Sequence, residues 1–211
     1  MLANIVVDFF IKGGPVMWPI LVCTFVAVAV VGERALWWWR ESRKRNPALM
    51  EKILTTLENG DLEGAAGLGE GSEDPIIRMV HRGLSQGHSS LQGALELAAG
   101  LELERAGRFL TVMDTLITLA PLLGLLGTVT GLMRAFLHVG DAELSVMAVT
   151  GGIGEALIAT ACGLGIAIFS LIPFNFFTAR VARLQFELET AATNVEIMAN
   201  TLKSRENEAL K

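Results

Sequence analysis

Three long stretches of this chain carry no charged residue, and nothing else in it constrains the fold as tightly. Twenty uncharged residues separate Lys12 from Glu33, 19 separate Asp114 from Arg134, and 24 separate Glu155 from Arg180. A helix needs about 20 apolar residues to cross the hydrocarbon core of a bilayer. Three transmembrane helices are therefore expected, at 15–39, 115–137 and 153–179. Hydrophobic residues make up 52% of the chain and charged residues 18%, a membrane-type balance. The net charge of −5 arises mostly outside the three stretches and points to no nucleic-acid partner. Basic residues follow the first stretch instead of preceding it, and no A-x-A site ends it, so it reads as a retained anchor. Cys23 and Cys162 fall inside expected spans without C-x-x-C spacing and read as small packing residues.

The flanking basic residues orient the spans. Lys12 alone precedes the first span, and Arg40, Arg43, Lys44 and Arg45 follow it. Arg105 and Arg108 precede the second, Arg180 and Arg183 follow the third, and the loop at 138–152 has no Lys or Arg. The positive-inside rule then puts the amino terminus and that short loop outside, with the middle segment 40–113 and the tail 180–211 in the cytoplasm. Trp18 and Trp37 bracket the first span at a helical distance of roughly 28 Å, so Trp18 and the Trp37–Trp39 triplet read as interfacial anchors. Residues 1–12 place Leu2, Ile5, Val6, Phe9 and Phe10 on one helical face, as suits a short helix on the outer membrane surface.

Between the first two spans, Asn46-Pro47, Asn59–Asp61 and Gly69–Pro75 are breaks. Helices are expected at 47–58, 61–67 and 75–86, followed by a long one from Ser89 or Ser90 that runs unbroken into the second span. Beyond the third span, Val181, Leu184, Leu188, Ala191, Val195, Met198 and Leu202 recur in steps of three and four, a heptad seam. Packing of that seam against helices of the same chain is preferred to a coiled coil between subunits. The fold class is an all-α membrane protein with three transmembrane helices and long cytoplasmic helical extensions.

The second and third spans each carry one stripe of small residues holding one threonine. The stripes are Ala120, Gly124, Thr128, Gly131 and Ala135, and Gly152, Ala156, Thr160, Gly163, Ala167 and Ser170. Small stripes let helices approach closely where lipid supplies no hydrophobic drive between them, so Gly124, Gly131, Ala156 and Gly163 are expected at helix contacts. Each threonine hydroxyl could simply bond a carbonyl of its own helix, or the two could line a shared polar interior. Glu155 likewise has two readings, an interfacial carboxylate near a helix start or a group in the outer mouth of a pathway. Pro121 and Pro173 each free a backbone carbonyl and are expected to kink their helices at matched depth. Glu33 and Arg34 read as snorkelling interfacial residues. No nucleophile with a base, no metal-spaced histidine set and no phosphate loop is found, so neither an enzyme nor a cofactor is expected.

Three blocks, "GPVMWPILV…GERALWWWR", "APLLGLLGTVTGLMRAF" and "GGIGEALIATACGLGIAIFSLIPFNFF", resemble the MotA/TolQ/ExbB proton-channel family, and the order of elements matches along essentially the whole chain. The likeness is greatest to ExbB or TolQ, with a lean to ExbB, and three spans instead of four argue against a flagellar MotA. The resemblance implies a homo-pentamer in the bacterial inner membrane. Its second and third spans would line a pore holding the helices of an ExbD- or TolR-like partner dimer, with a TonB- or TolA-like protein beyond. Thr128 and Thr160 match the family's pore threonines, and Glu155 its glutamate at the start of the third span. The function implied is the pore-forming subunit of a proton-driven motor serving outer-membrane transport or integrity. Protons are preferred to sodium, since little besides the threonines offers a cation cage. A non-conducting scaffold and a stand-alone transporter are the alternatives; three spans with no internal repeat count against the latter.

Overall fold

A computed structural model describes residues 10–86, 90–137 and 145–209. Among them the regular elements are all helical: α1 (Met17–Ser42), α2 (Pro47–Glu58), α3 (Leu62–Leu68), α4 (Pro75–Gln86), α5 (Leu91–Gly107), α6 (Leu110–Leu137) and α7 (Ser145–Ala209). Three helical stretches, Met17–Ser42, Leu91–Leu137 and Val149–Leu202, contain windows long and apolar enough to cross a membrane. The surface helix expected at 1–12 lies outside the described residues except for Phe10–Lys12, which are helical. The chain divides into two compact units, Met1–Arg34 with Phe109–Phe176, and Ala35–Arg108 with Phe177–Lys211.

In the first unit, Val16, Met17, Ile20, Cys23 and Ala27 of the α1 region pack with Leu116 and Ala120 of α6 and with Ala159 and Ile166 of α7. Cys23 and Cys162 are free thiols, the first buried in this cluster and the second beside it.

The second unit is built as a water-soluble helical core. Short helices begin where a side chain caps them: Asn46 accepts from the Leu49 N–H at 3.1 Å, Asp61 from Gly64 at 2.7 Å, and Ser90 from Gly93 at 3.2 Å. Asp74 joins two helix starts, accepting from the Ile76 N–H at 2.9 Å and the Asn46 N–H at 2.7 Å. Gly60, at φ +90°, closes the turn between α2 and α3. The core gathers Ile53 and Leu57 of α2, Ile77 and Val80 of α4, Leu95 of α5, and Leu184, Leu188, Ala191 and Val195 of α7. The heptad seam thus closes inside its own chain. At the core's edge the Glu102 side chain, 1% exposed, takes Arg78 at 2.6 Å, Arg105 at 3.2 Å and Arg82 at 3.7 Å, while Arg78 also reaches Glu41 at 3.1 Å. Burial by itself would lower the Arg78 pKa, but Glu102 and Glu41 outweigh it and raise it above the ordinary arginine value.

Several expectations are corrected. The long helix into the second span is broken: α5 ends at Gly107, Arg108 is extended (φ −52°, ψ 136°), and Phe109 adopts a left-handed φ of +64° before α6 restarts. The Met113 N–H then bonds the Phe109 carbonyl at 3.2 Å. Gly107 is a weak helix former, and the Arg34 guanidinium lies 5.7 Å from the Phe109 ring centroid, a cation–π contact on the strained residue. Arg34 is consequently buried, 1% exposed and doubly bonded to Glu33, instead of snorkelling to water. The final helix starts at Ser145, not 153, so 145–152 of the expected loop is helical, and 138–144 lies outside the described residues. Helix α3 begins at Leu62, one residue later than expected, because Asp61 serves as its cap.

Leu188 is fully buried, whereas Gln185 is exposed on the same helix. Leu188→Ala is expected to cost about 2–5 kcal/mol and to lower the melting temperature of the detergent-purified protein, with Gln185→Ala serving as a silent control in the same thermal scan.

Candidate ion-pathway site

Helices α6 and α7 meet along their small residues. A Cβ built on Gly124 would stand 3.0 Å from the Thr160 Cα, and one on Gly131 would stand 2.8 Å from the Gly152 carbonyl oxygen. A Cβ on Gly152 would stand 2.7 Å from the Gly131 carbonyl, and one on Gly163 would overlap the Ala120 carbonyl. Eleven residues down α6, from Gly131 to Ala120, therefore match eleven up α7, from Gly152 to Gly163, in an antiparallel register. Real side chains at these glycines would push the backbones apart, since Cβ atoms do not pack within 3 Å of backbone. Ala120, Gly124, Gly131, Ala135, Gly152, Ala156 and Gly163 are all buried in this seam. Gly127 and Ala159 also belong to it, with a Gly127 Cβ overlapping the Ala159 methyl.

The two threonines occupy the margin of this seam, each half-buried. The Thr160 hydroxyl sits 3.0 Å from the Gly124 carbonyl across the seam and 3.1 Å from the Ala156 carbonyl one turn below, donating to the pair in a shared bond. Thr128 donates to the Leu125 carbonyl of its own helix at 2.6 Å. One hydroxyl thus stitches the two helices, and the other stays within its own. Ser170, the last residue of the α7 stripe, is fully buried, and its hydroxyl has no partner among the described residues. Pro121 and Pro173 both lie inside continuous helices.

Glu155 is not a bare interfacial carboxylate. Arg134 of α6 donates to it through one nitrogen, at 2.8 Å to Oε1 and 3.2 Å to Oε2, and the Glu155 side chain is only 16% exposed. The turn before α1 covers it: Gly14 has φ +73°, and a Cβ there would overlap the Glu155 carboxylate. Gly14 therefore has two reasons to be glycine, its backbone conformation and the carboxylate lying against it. Arg134 and Gly14 went unassigned on sequence grounds, where Arg134 served only to end a charge-free run. Opposite charges bounding the second and third spans at the same end of the bundle were the available signal.

The arrangement offers hydroxyl and carbonyl oxygens to a polar guest. Between Asp114 and Arg134, and between Glu155 and Arg180, the sequence contains no Asp, Glu, Lys, Arg or His to exchange a proton.

Adding one methyl group at two nearby glycines separates packing from composition. Gly163→Ala drives a Cβ into the Ala120 carbonyl, whereas Gly165 has open space at its Cβ position. Gly163→Ala is expected to cost about 1–3 kcal/mol through overpacking, read as a lower melting temperature and reduced folded yield. Gly165→Ala is expected to leave both unchanged.

Comparison with known proteins places these helices in context. The family model "MotA/TolQ/ExbB proton channel family" matches residues 71–190, which include both threonines, Glu155 and the α6–α7 seam. The chain is 38% identical over 176 residues to the putative biopolymer transport protein ExbB-like 1 of Synechocystis sp., covering 80% of this chain and 68% of that protein. It is 36% identical over 182 residues to ExbB-like 3 of the same organism, covering 83% and 86% respectively. It is also 36% identical over 89 residues to the biopolymer transport protein ExbB of Neisseria gonorrhoeae, covering 42% of this chain and 40% of that one. With its three membrane-crossing helices and glycine-packed α6–α7 pair, this chain belongs to the MotA/TolQ/ExbB proton channel family and is ExbB-like.

Proposed function

We propose that this chain is the pore-forming subunit of an inner-membrane, proton-driven motor. Five copies surround a central pore lined by α6 and α7, and a dimer of a single-span, ExbD- or TolR-like protein occupies it. The observation that carries this reading is a mismatch between fold and chemistry. Two half-buried threonines edge the α6–α7 seam, yet the second and third spans hold no Asp, Glu, Lys, Arg or His between their bounding charges. A proton path through such a lining needs a titrating group from another chain, and a carboxylate on the partner's helix supplies it. Thr128 and Thr160 line the pathway, Glu155 stands at its outer mouth, and the prolines Pro121 and Pro173 shape its cytoplasmic half. The amino terminus is outside and the carboxyl terminus in the cytoplasm, as the basic residues direct. The names of the relatives point to biopolymer transport, and the work done is transport or maintenance at the outer membrane through a TonB- or TolA-like protein. Each proton delivers about 2.3 kcal/mol per 100 mV, so sustained work requires several in succession.

The Thr160 hydroxyl is the group to test. Thr160→Val keeps the shape of the side chain and removes the oxygen. With the partner co-reconstituted in vesicles, Thr160→Val is expected to keep the oligomer on native gels while dye-reported proton flux falls at least about tenfold, and Thr160→Ser to restore most of it. Undiminished flux in Thr160→Val would favour a scaffold whose small stripes serve assembly alone. Glu155→Gln is expected to lower flux in the same assay without dispersing the oligomer.

A further inference from the structure

Arg134 lies in the last turn of α6 and is the only Lys or Arg between Arg108 and Arg180. The sequence around it is mostly acidic. The segment 138–144, which joins this end of α6 to α7, holds Asp141 and Glu143 and no Lys or Arg, and Asp8 and Lys12 precede the turn at Gly14. Lys12 is exposed and already has a partner. Carboxylates at the mouth of a pathway raise the local concentration of every cation, sodium as much as hydronium. They do not choose between the two. That choice falls to the groups an entering ion meets, and Glu155 is the one whose surroundings are described.

Glu155 is held from two sides. Arg134 Nη1 lies 2.8 Å from Oε1 and 3.2 Å from Oε2, so one guanidinium nitrogen meets both oxygens. On another side the turn before α1 is packed down on α7: a Cβ on Gly13 would stand 3.1 Å from the Ile158 side chain, and one on Gly14 would overlap the carboxylate. What remains open differs for a proton and for a metal ion. A carboxylate has about four lone-pair sites, and Arg134 engages both oxygens without filling them. A proton needs a single free lone pair and leaves the guanidinium in place. A hard metal cation gathers several oxygens at once. Here it would have to share both oxygens with a guanidinium whose charge is permanent and which repels it at contact distance.

We infer that Arg134 is a specificity-determining residue of the ion pathway: by holding both oxygens of Glu155 it denies that carboxylate to sodium and leaves it open to a proton. The inference rests on the channel reading and adds to it the residue that sets the ion. Hydronium gives its proton to a lone pair of Glu155 that Arg134 leaves free, and departs as water. The same proton is returned to water farther in, so the carboxylate ends as it began. Throughout, the Arg134 charge stands where a sodium ion would have to sit.

The test uses the full chain co-reconstituted in vesicles with its single-span partner. Dye-reported proton flux is compared in sodium chloride and in choline chloride at equal concentration and pH, with each salt on both sides of the membrane. In wild type the two fluxes are expected to agree. In Arg134→Gln, sodium is expected to depress the flux about tenfold relative to choline, because the bared carboxylate takes the metal ion. Arg134→Lys, which puts a positive charge back beside Glu155, is expected to return the ratio of the two fluxes to the wild-type value. A residue that only ties α6 to α7 would lower flux by the same factor in both salts. That result in Arg134→Gln would overturn the inference, as would sodium-sensitive flux in wild type. Dispersal of the oligomer by Arg134→Gln on native gels would overturn it too, by assigning Arg134 to assembly. Wild type without flux in either salt would instead sink the channel reading, and this inference with it.

Discussion

Backbone-to-backbone contact between α6 and α7 is the constraint on which the first unit depends. Within a bilayer, burying an apolar side chain against another helix gains little over leaving it in lipid, so close approach and hydrogen bonding must hold the pair. Glycine at 124, 131, 152 and 163 permits that approach and fixes its register, because a slip would bring side chains against carbonyls. The register in turn carries Thr160 to the Gly124 carbonyl. It also leaves Arg134 and Glu155 at one end of the pair, close enough to bond. The polar contacts of the site are thus consequences of the apolar packing beneath them.

The second unit follows water-soluble rules. Its helices are short, capped by Asn46, Asp61 and Ser90, and held by large aliphatic side chains, of which Ile53, Leu57, Ile77 and Leu188 are fully buried. A buried carboxylate, Glu102, is admitted because arginines surround it, and removing either sign would strand the other. One sequence therefore alternates between two packing regimes, small residues in the seam of the membrane-type helices and branched aliphatics in the soluble core.

Most of the architecture was legible because charge and periodicity report directly on solvent. The three charge-free runs anticipated the membrane-type helices, and Asn46-Pro47 and Asp74-Pro75 marked helix starts to the residue. The heptad of α7 was visible as a pattern, and its preferred partner, the same chain, is the one seen. What stayed hidden depended on contacts between distant residues. Nothing local distinguishes Phe109 as left-handed, since the Arg34 guanidinium on its ring comes from 75 positions away. The Arg134–Glu155 pair likewise joins two residues that each looked like the end of a span. The small-residue stripes are visible in the sequence as narrow faces. That they meet each other within one chain follows from the α6–α7 register, which spacing along a single helix does not determine.

The bonding of the two threonines has a chemical consequence. Each hydroxyl has a single hydrogen, and in both residues that hydrogen is directed to main-chain oxygen, towards Gly124 and Ala156 for Thr160 and towards Leu125 for Thr128. What remains for a visitor is a pair of lone pairs on each oxygen, able to receive a hydrogen bond but not to give one. Such oxygens welcome a neutral carboxylic acid or a hydronium-like donor and offer nothing to a bare carboxylate. In the proposed pore, a partner's carboxyl group passing these positions would be steadied while it holds its proton and would lose that support once the proton has gone.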